Sequence, residues 1–135
     1  IIAASTASAQ LTVLGIGSGG TLSGLTLASS TRYESPVSAI TYAASVALDL
    51  SAHNLQTLTL AGNITFTTSN LAAGRAKQVF ITADGSTRTL TFPAGWVWIG
   101  TATPASIAAS KTALLTIFST STTDSAVRAF WAVQQ

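Results

Sequence analysis

Ile40-Thr41-Tyr42-Ala43-Ala44-Ser45-Val46-Ala47-Leu48-Asp49-Leu50 decides the fold class. Ile40, Tyr42, Ala44, Val46, Leu48 and Leu50 alternate with Thr41, Ala43, Ser45, Ala47 and Asp49. Successive side chains of a strand point to opposite faces, so this period of two predicts a strand with one apolar face turned inward. The same pattern recurs downstream. Leu58 and Leu60 alternate with Thr57 and Thr59, and beyond Gly62-Asn63, Ile64 and Phe66 alternate with Thr65 and Thr67. Two strands joined by a tight turn are predicted there. Val79 and Ile81 lie on one face of Gln78 to Ala83, and Leu90 and Phe92 on one face of Thr87 to Phe92. The Asp84-Gly85 step between them predicts a hairpin, since Gly takes a positive φ at no steric cost.

Pro93 ends that run by withdrawing a backbone donor. Trp96 to Ile99 reads as a short strand and Gly100 to Ser110 as a loop. Leu114 to Phe118 and Ala126 to Val133 form a closing pair joined by a turn around Thr122-Thr123-Asp124. Ala105 to Ala113 has room for a helical turn and no apolar stripe to support more. The expectation is an all-β fold of about eight strands: an antiparallel β-sandwich of jelly-roll type, with no internal repeat at a period of 20 to 50 residues.

The composition changes near residue 36. Residues 1–36 are rich in Ala, Ser, Thr and Gly, with Arg32 and Glu34 their only charges, and the cluster Gly15-Ile16-Gly17-Ser18-Gly19-Gly20 interrupts any regular element. They read as an extended arm preceding a sandwich domain at 37–135. Leu11, Leu14, Leu22, Leu25 and Leu27 make it an anchoring arm, because exposed apolar side chains dock on something.

The chain has 135 residues, of which 63 are Ala, Thr or Ser. Only 7% are charged, where about 25% is usual. Leu, Ile, Val and Phe supply 35 residues, enough for a core. The six basic residues, Arg32, Arg75, Lys77, Arg88, Lys111 and Arg128, are scattered, so the contiguous stripe that phosphate contacts need is missing and no nucleic-acid partner is expected. No apolar run approaches the ~18 residues that span a bilayer, so no membrane insertion is expected. With no cysteine, there is neither a disulfide nor a thiolate nucleophile.

Catalytic patterns fail on context. Gly15-x-Gly17-x-x-Gly20 matches a dinucleotide fingerprint, but Thr-Leu-Ser-Gly-Leu-Thr-Leu follows in place of a helix whose N-terminus would hold a pyrophosphate, so no cofactor is expected. Asp49, Ser51 and His53 share one strand face if the strand continues, about 6.6 to 7 Å apart and too far for a triad. His53 is the only histidine, which argues against a metal site in one chain. Of the four carboxylates, Asp84 and Asp124 sit in turns, leaving Glu34 and Asp49 as an unsupported acid pair. No catalytic residue and no enzymatic activity are expected. Asn63-Ile64-Thr65 is a glycosylation sequon, meaningful only in a eukaryotic secreted protein. Trp96 and Trp98 fall on one strand face. They are candidates for stacking on sugar rings, with core or interface packing as the alternative role.

Residues 40–135 resemble a small β domain that recurs in tail fibres, head fibres and decoration proteins of tailed bacteriophages. Ile40-Thr41-Tyr42, Val46-Ala47-Leu48-Asp49-Leu50, Leu58-Thr59-Leu60, Gly62-Asn63-Ile64-Thr65, Asn70-Leu71-Ala72-Ala73-Gly74, Asp84-Gly85, Thr89-Leu90-Thr91-Phe92-Pro93, Trp96-Val97-Trp98 and Phe130-Trp131 carry the resemblance. Ile99-Gly100-Thr101 departs from it where a more Gly-rich turn is usual. The resemblance implies a non-enzymatic virion protein, homotrimeric, whose arm engages capsid, portal-proximal or tail components. A receptor- or carbohydrate-binding tip contacting host glycans is the other function it allows.

Overall fold

A computed structural model describes residues 36–135. The chain divides into two units, Ile1–Tyr33 and Glu34–Gln135, and the described residues all belong to the second. Glu34 and the five leucines of the expected arm lie outside the described residues.

The described residues form an all-β body of two sheets: β1 (Val37–Ile40), β2 (Ser45–Asp49), β3 (Leu55–Leu60), β4 (Ile64–Ser69), β5 (Arg75–Ala83), β6 (Arg88–Thr91), β7 (Val97–Trp98), β8 (Ser106–Ile107), β9 (Thr112–Ser119) and β10 (Val127–Val133). The larger sheet runs β1-β3-β5-β9-β10-β7 and the smaller β2-β4-β6-β8. Five pairings are parallel: β1 with β3, β3 with β5, β2 with β4, β4 with β6, and β10 with β7. Only β5 with β9, β9 with β10 and β6 with β8 are antiparallel. The antiparallel jelly-roll expectation is therefore corrected to two sheets of mixed orientation, with ten strands among the described residues.

The order of crossing explains the parallel pairs. Each of β1 to β6 lies in the sheet opposite its predecessor, so the chain winds through three two-strand turns that stack on one another. Val37 pairs with Leu55 and Leu55 with Gln78, while Ser45 pairs with Thr65 and Ile64 with Leu90. The repeat is structural but uneven in length, which is why no fixed period is legible in the sequence. The strand expected over Ile40–Leu50 is broken at Thr41–Ala44, where the chain leaves the larger sheet for the smaller. Gly62-Asn63 and Asp84-Gly85 are likewise corners between sheets, and Gly85 does not take the positive φ that the expected hairpin requires.

These corners are tied together. Tyr42 donates its hydroxyl hydrogen to the Asn63 carbonyl at 3.0 Å, and the Asn63 side-chain oxygen accepts the Thr89 N–H at 2.9 Å, linking the first two corners to β6. Downstream, β9 and β10 form the expected antiparallel pair, joined through a 3-10 turn at Asp124–Ala126. The loop expected at Gly100–Ser110 contains β8, and no helical turn forms at Ala105–Ala113.

One core lies between the sheets. Leu58, Leu60, Val79, Ile81, Leu115 and Ile117 from the larger sheet meet Val46, Leu48, Ile64, Phe66, Leu90 and Ile107 from the smaller, all buried. Burial of each such side chain contributes about 1.5 to 3 kcal/mol. The wide end is filled by aromatics around Phe92, which stacks on Phe66 at 5.0 Å and lies 5.6, 4.9 and 6.1 Å from Trp96, Trp98 and Trp131.

A Cβ at Gly62 would collide with the Tyr42 hydroxyl, so Gly62→Ala must expel that hydroxyl from its bond to Asn63. Gly62→Ala and Tyr42→Phe should each cost about 1 kcal/mol through the same lost hydrogen bond. In urea unfolding, the double variant should be less than additive. An additive result would show that the corner bond contributes nothing.

Candidate functional site

Asp49 ends β2, and the chain turns at once instead of continuing as a strand. The turn brings Ser51 back: its backbone N–H and its hydroxyl donate to Asp49 Oδ1 at 2.8 and 2.7 Å, and Asn70 Nδ2 donates to the same oxygen at 2.8 Å. The expectation that Asp49 and Ser51 stand too far apart to touch is corrected, because it assumed an unbroken strand. These three donors, the Ser51 hydroxyl foremost, lower the Asp49 carboxyl from 3.8 to about 2. A carboxylate so stabilised is a poor proton acceptor, and Ser51 is its hydrogen-bond donor. His53 completes no triad: its side chain is exposed, and its backbone carbonyl accepts a hydrogen bond from Lys77.

Lys77 is the one charged side chain buried in the core among the described residues. It lies on the inward face of β5, beside Ile117 of β9. Its ammonium donates to the His53 carbonyl at 2.7 Å and to Gln56 Oε1 at 2.6 Å. Burial pushes the Lys77 pKa below its ordinary value, partly opposed by the charge on Asp49. Above it, Asn70 (φ 53°) and Gly74 (φ 81°) take left-handed conformations in the turn to β5, and Arg75 donates to the Asn70 carbonyl. The cluster thus fastens the loop after β2 and the loop after β4 to β5. Among the described residues, no three His, Asp or Glu side chains converge as metal ligands.

The expected glycan contacts separate. Trp96 is buried within the aromatic cluster, so its ring face is closed to a sugar and that expectation is corrected. Its Nε1 is buried with no acceptor among the described residues. Trp98 is half-buried, edge-on to Phe92 and 6.0 Å from Trp96, and packs against the core along with Trp131. Asp84 holds its turn by accepting the Ser86 N–H at 3.1 Å, and it pairs with Arg88. Asp124 opens the 3-10 turn and accepts the Thr68 hydroxyl.

Sequence reasoning missed the outer face of the larger sheet. The strand register aligns Phe80 with Leu114 and Leu114 with Ala132, and on the next row Gln78 with Thr116 and Thr116 with Phe130. Ala76, Phe118, Arg128 and Val97 form a third row. Phe80, Phe118, Phe130, Val97 and Ile99 are all exposed, and Phe118 meets Phe130 edge-on at 6.0 Å. The outer face of the smaller sheet is unlike it: Ser45, Ala47, Thr65, Thr67, Thr89, Thr91 and Ser106. The available signal was the apolar doublets Phe80-Ile81, Leu114-Leu115 and Phe130-Trp131, which place apolar groups on both faces of a strand. No family model, curated protein or solved structure matches the chain.

Two measurements test the polar cluster. Asp49 has a folded pKa below its unfolded one, so its contribution to stability is complete above the unfolded value of 3.8 and is lost as pH falls through about 2. The melting-temperature difference between the wild type and Asp49→Asn should therefore narrow from pH 4 to pH 2 and stay flat from pH 5 to 7. Lys77→Met leaves the His53 carbonyl and Gln56 Oε1 without their donor, and denaturant unfolding should show a loss of about 1 to 3 kcal/mol.

Proposed function

We propose that this chain is a non-enzymatic structural protein of a bacteriophage virion: a trimeric fibre or decoration module, held to the particle by residues 1–36 and projecting the two-sheet body. The observation that carries the reading is the division of the surface. One outer sheet face is coated with Ser, Thr and Ala, with Asp49 at the end of β2, and the other sets Phe80, Leu114, Phe118, Phe130 and Val97 among neutral polar side chains, with Arg128 at its margin. A body of this kind packs against neighbours with little charge desolvation and little self-repulsion. The sequence resemblance of residues 40–135 to phage appendage domains supplies the virion setting. On this reading Leu11, Leu14, Leu22, Leu25 and Leu27 contact capsid, portal-proximal or tail components.

The polar cluster fits a structural part. Ser51 and Asn70 donate to Asp49, Lys77 donates to the His53 carbonyl and Gln56, and the low Asp49 pKa suits a fixed anion better than a proton shuttle. Absence of Cys and Met suits a particle exposed to oxidants outside a cell. The glycan-binding tip loses Trp96 as a contact and keeps only the half-buried Trp98.

The test is mass spectrometry of density-purified particles from a host producing this chain. The chain should copurify at a copy number divisible by three, and deletion of residues 1–36 should remove it from particles while leaving the free protein folded. Its absence from intact particles overturns the proposal.

A further inference from the structure

The outer face of β5, β9 and β10, continued by Val97 and Ile99, carries five of the seven exposed large apolar side chains among the described residues. We infer that this face is where copies of the chain pack on one another. The inference deepens the assembly reading above by naming its surface, and it does not depend on the virion setting.

Three observations carry it. First, exposed aromatic rings are concentrated here. Phe80, Phe118 and Phe130 all project from this face, whereas the outer face of the smaller sheet presents Ser, Thr and Ala. A soluble surface tolerates scattered apolar side chains, but a register-aligned group marks a contact. Second, the face has a single charge. Arg128, at its margin, is half-buried with its guanidinium bonded to the Ser125 and Val127 carbonyls. A partner recognised by charge finds nothing to pair with, while a second copy meets no like-charge repulsion across the middle.

Third, projections and hollows occur together on this one face. A depression of about 500 Å³ lies between Phe80, Leu114 and Ala132, and another of about 340 Å³ between Ile99, Thr116 and Phe130. A surface with both halves of a fit can be self-complementary, as symmetric association requires. Across β5, β9, β10 and β7, the sheet face covers about 410 Å² in projection, at ~4.8 Å between strands and ~3.3 Å per residue. Two such faces meeting remove about 800 Å² in projection and more in accessible area, at the low end of specific interfaces.

The full chain, studied by size exclusion with light scattering, should run at a defined multiple of 13.7 kDa. Phe118→Asp with Phe130→Asp should return it to the mass of one chain with its circular dichroism unchanged, and Thr67→Asp on the opposite face should leave the multiple intact. Should the double variant fail to fold, a second measurement serves. The chain has no cysteine, so Thr116→Cys and Thr67→Cys each report a single site. Alkylation of the first should slow as protein concentration rises, and that of the second should not. A multiple that persists in the folded Phe variant, or alkylation at Thr116→Cys that ignores concentration, overturns this face and leaves assembly by another surface standing. A dimer supports the face and contradicts the trimer. A single-chain mass at every concentration overturns both.

Discussion

Everything in this body depends on one constraint: an apolar side chain that faces inward in one sheet must be followed, around each corner, by one that faces inward in the other. Leu58 and Leu60 precede a corner, and Ile64 and Phe66 follow it; Ile81 and Ala83 precede the next, and Leu90 and Phe92 follow. Because the two sheets share one core, each turn of the winding buries side chains against the other sheet and against the turn beside it. Parallel pairing is a consequence. A chain that crosses the core after every strand returns to its own sheet running in the same direction, and the ladder of β1, β3 and β5 follows.

That constraint also explains what the sequence disclosed and what it concealed. Alternation located nearly every strand, since inward positions are apolar in a hairpin and in a corner alike. It could not tell the two apart. Across Ile40–Leu50 the period of two holds almost unbroken while the chain changes sheets, and only Ala44, exposed in the structure, marks the place. Asp84-Gly85 and Gly62-Asn63 have turn chemistry that suits either connection, and the deciding contacts, from Tyr42 to Asn63 and from Asn63 to Thr89, join residues about twenty or more positions apart. Where pairing is local, as between β9 and β10, the expectation from sequence and the structure agree.

The polar cluster shows the same limit on a smaller scale. Asp49, Ser51 and His53 drew notice as a strand-face triplet, yet the strand stops at Asp49, and the partners that matter, Asn70 and Lys77, come from later turns of the winding. Lys77 sits in an apolar alternation, Lys77-x-Val79-x-Ile81, at a position where a hydrophobe would serve the core. A buried ammonium carries a desolvation cost that several good acceptors must offset. Its two carbonyl acceptors belong to the loop and strand that follow β2, so the cation fixes a segment that has few apolar side chains of its own. In a protein with so little charge, this is where an ion does a packing residue's work.

The two outer faces are best understood against each other. Both sheets belong to the same winding and bury the same kind of inner side chain, so core requirements cannot account for Thr65, Thr67, Thr89 and Thr91 on one exterior and Phe80, Leu114, Phe118 and Phe130 on the other. Threonine keeps β-propensity while remaining wettable, and it would serve at every outer position if solubility were the only demand. Phenylalanine at three outer positions, one on each of three neighbouring strands, keeps apolar surface in water at a cost that the fold does not repay. The strands that carry these residues, β5, β9 and β10, are the three longest, and β5 and β9 are the two central strands of the sheet, which gives the apolar rows a stiff backing. A stiff, patterned exterior with one charge at its margin is not explained by the fold of a single chain, and it is the surface that the proposed packing of copies would cover.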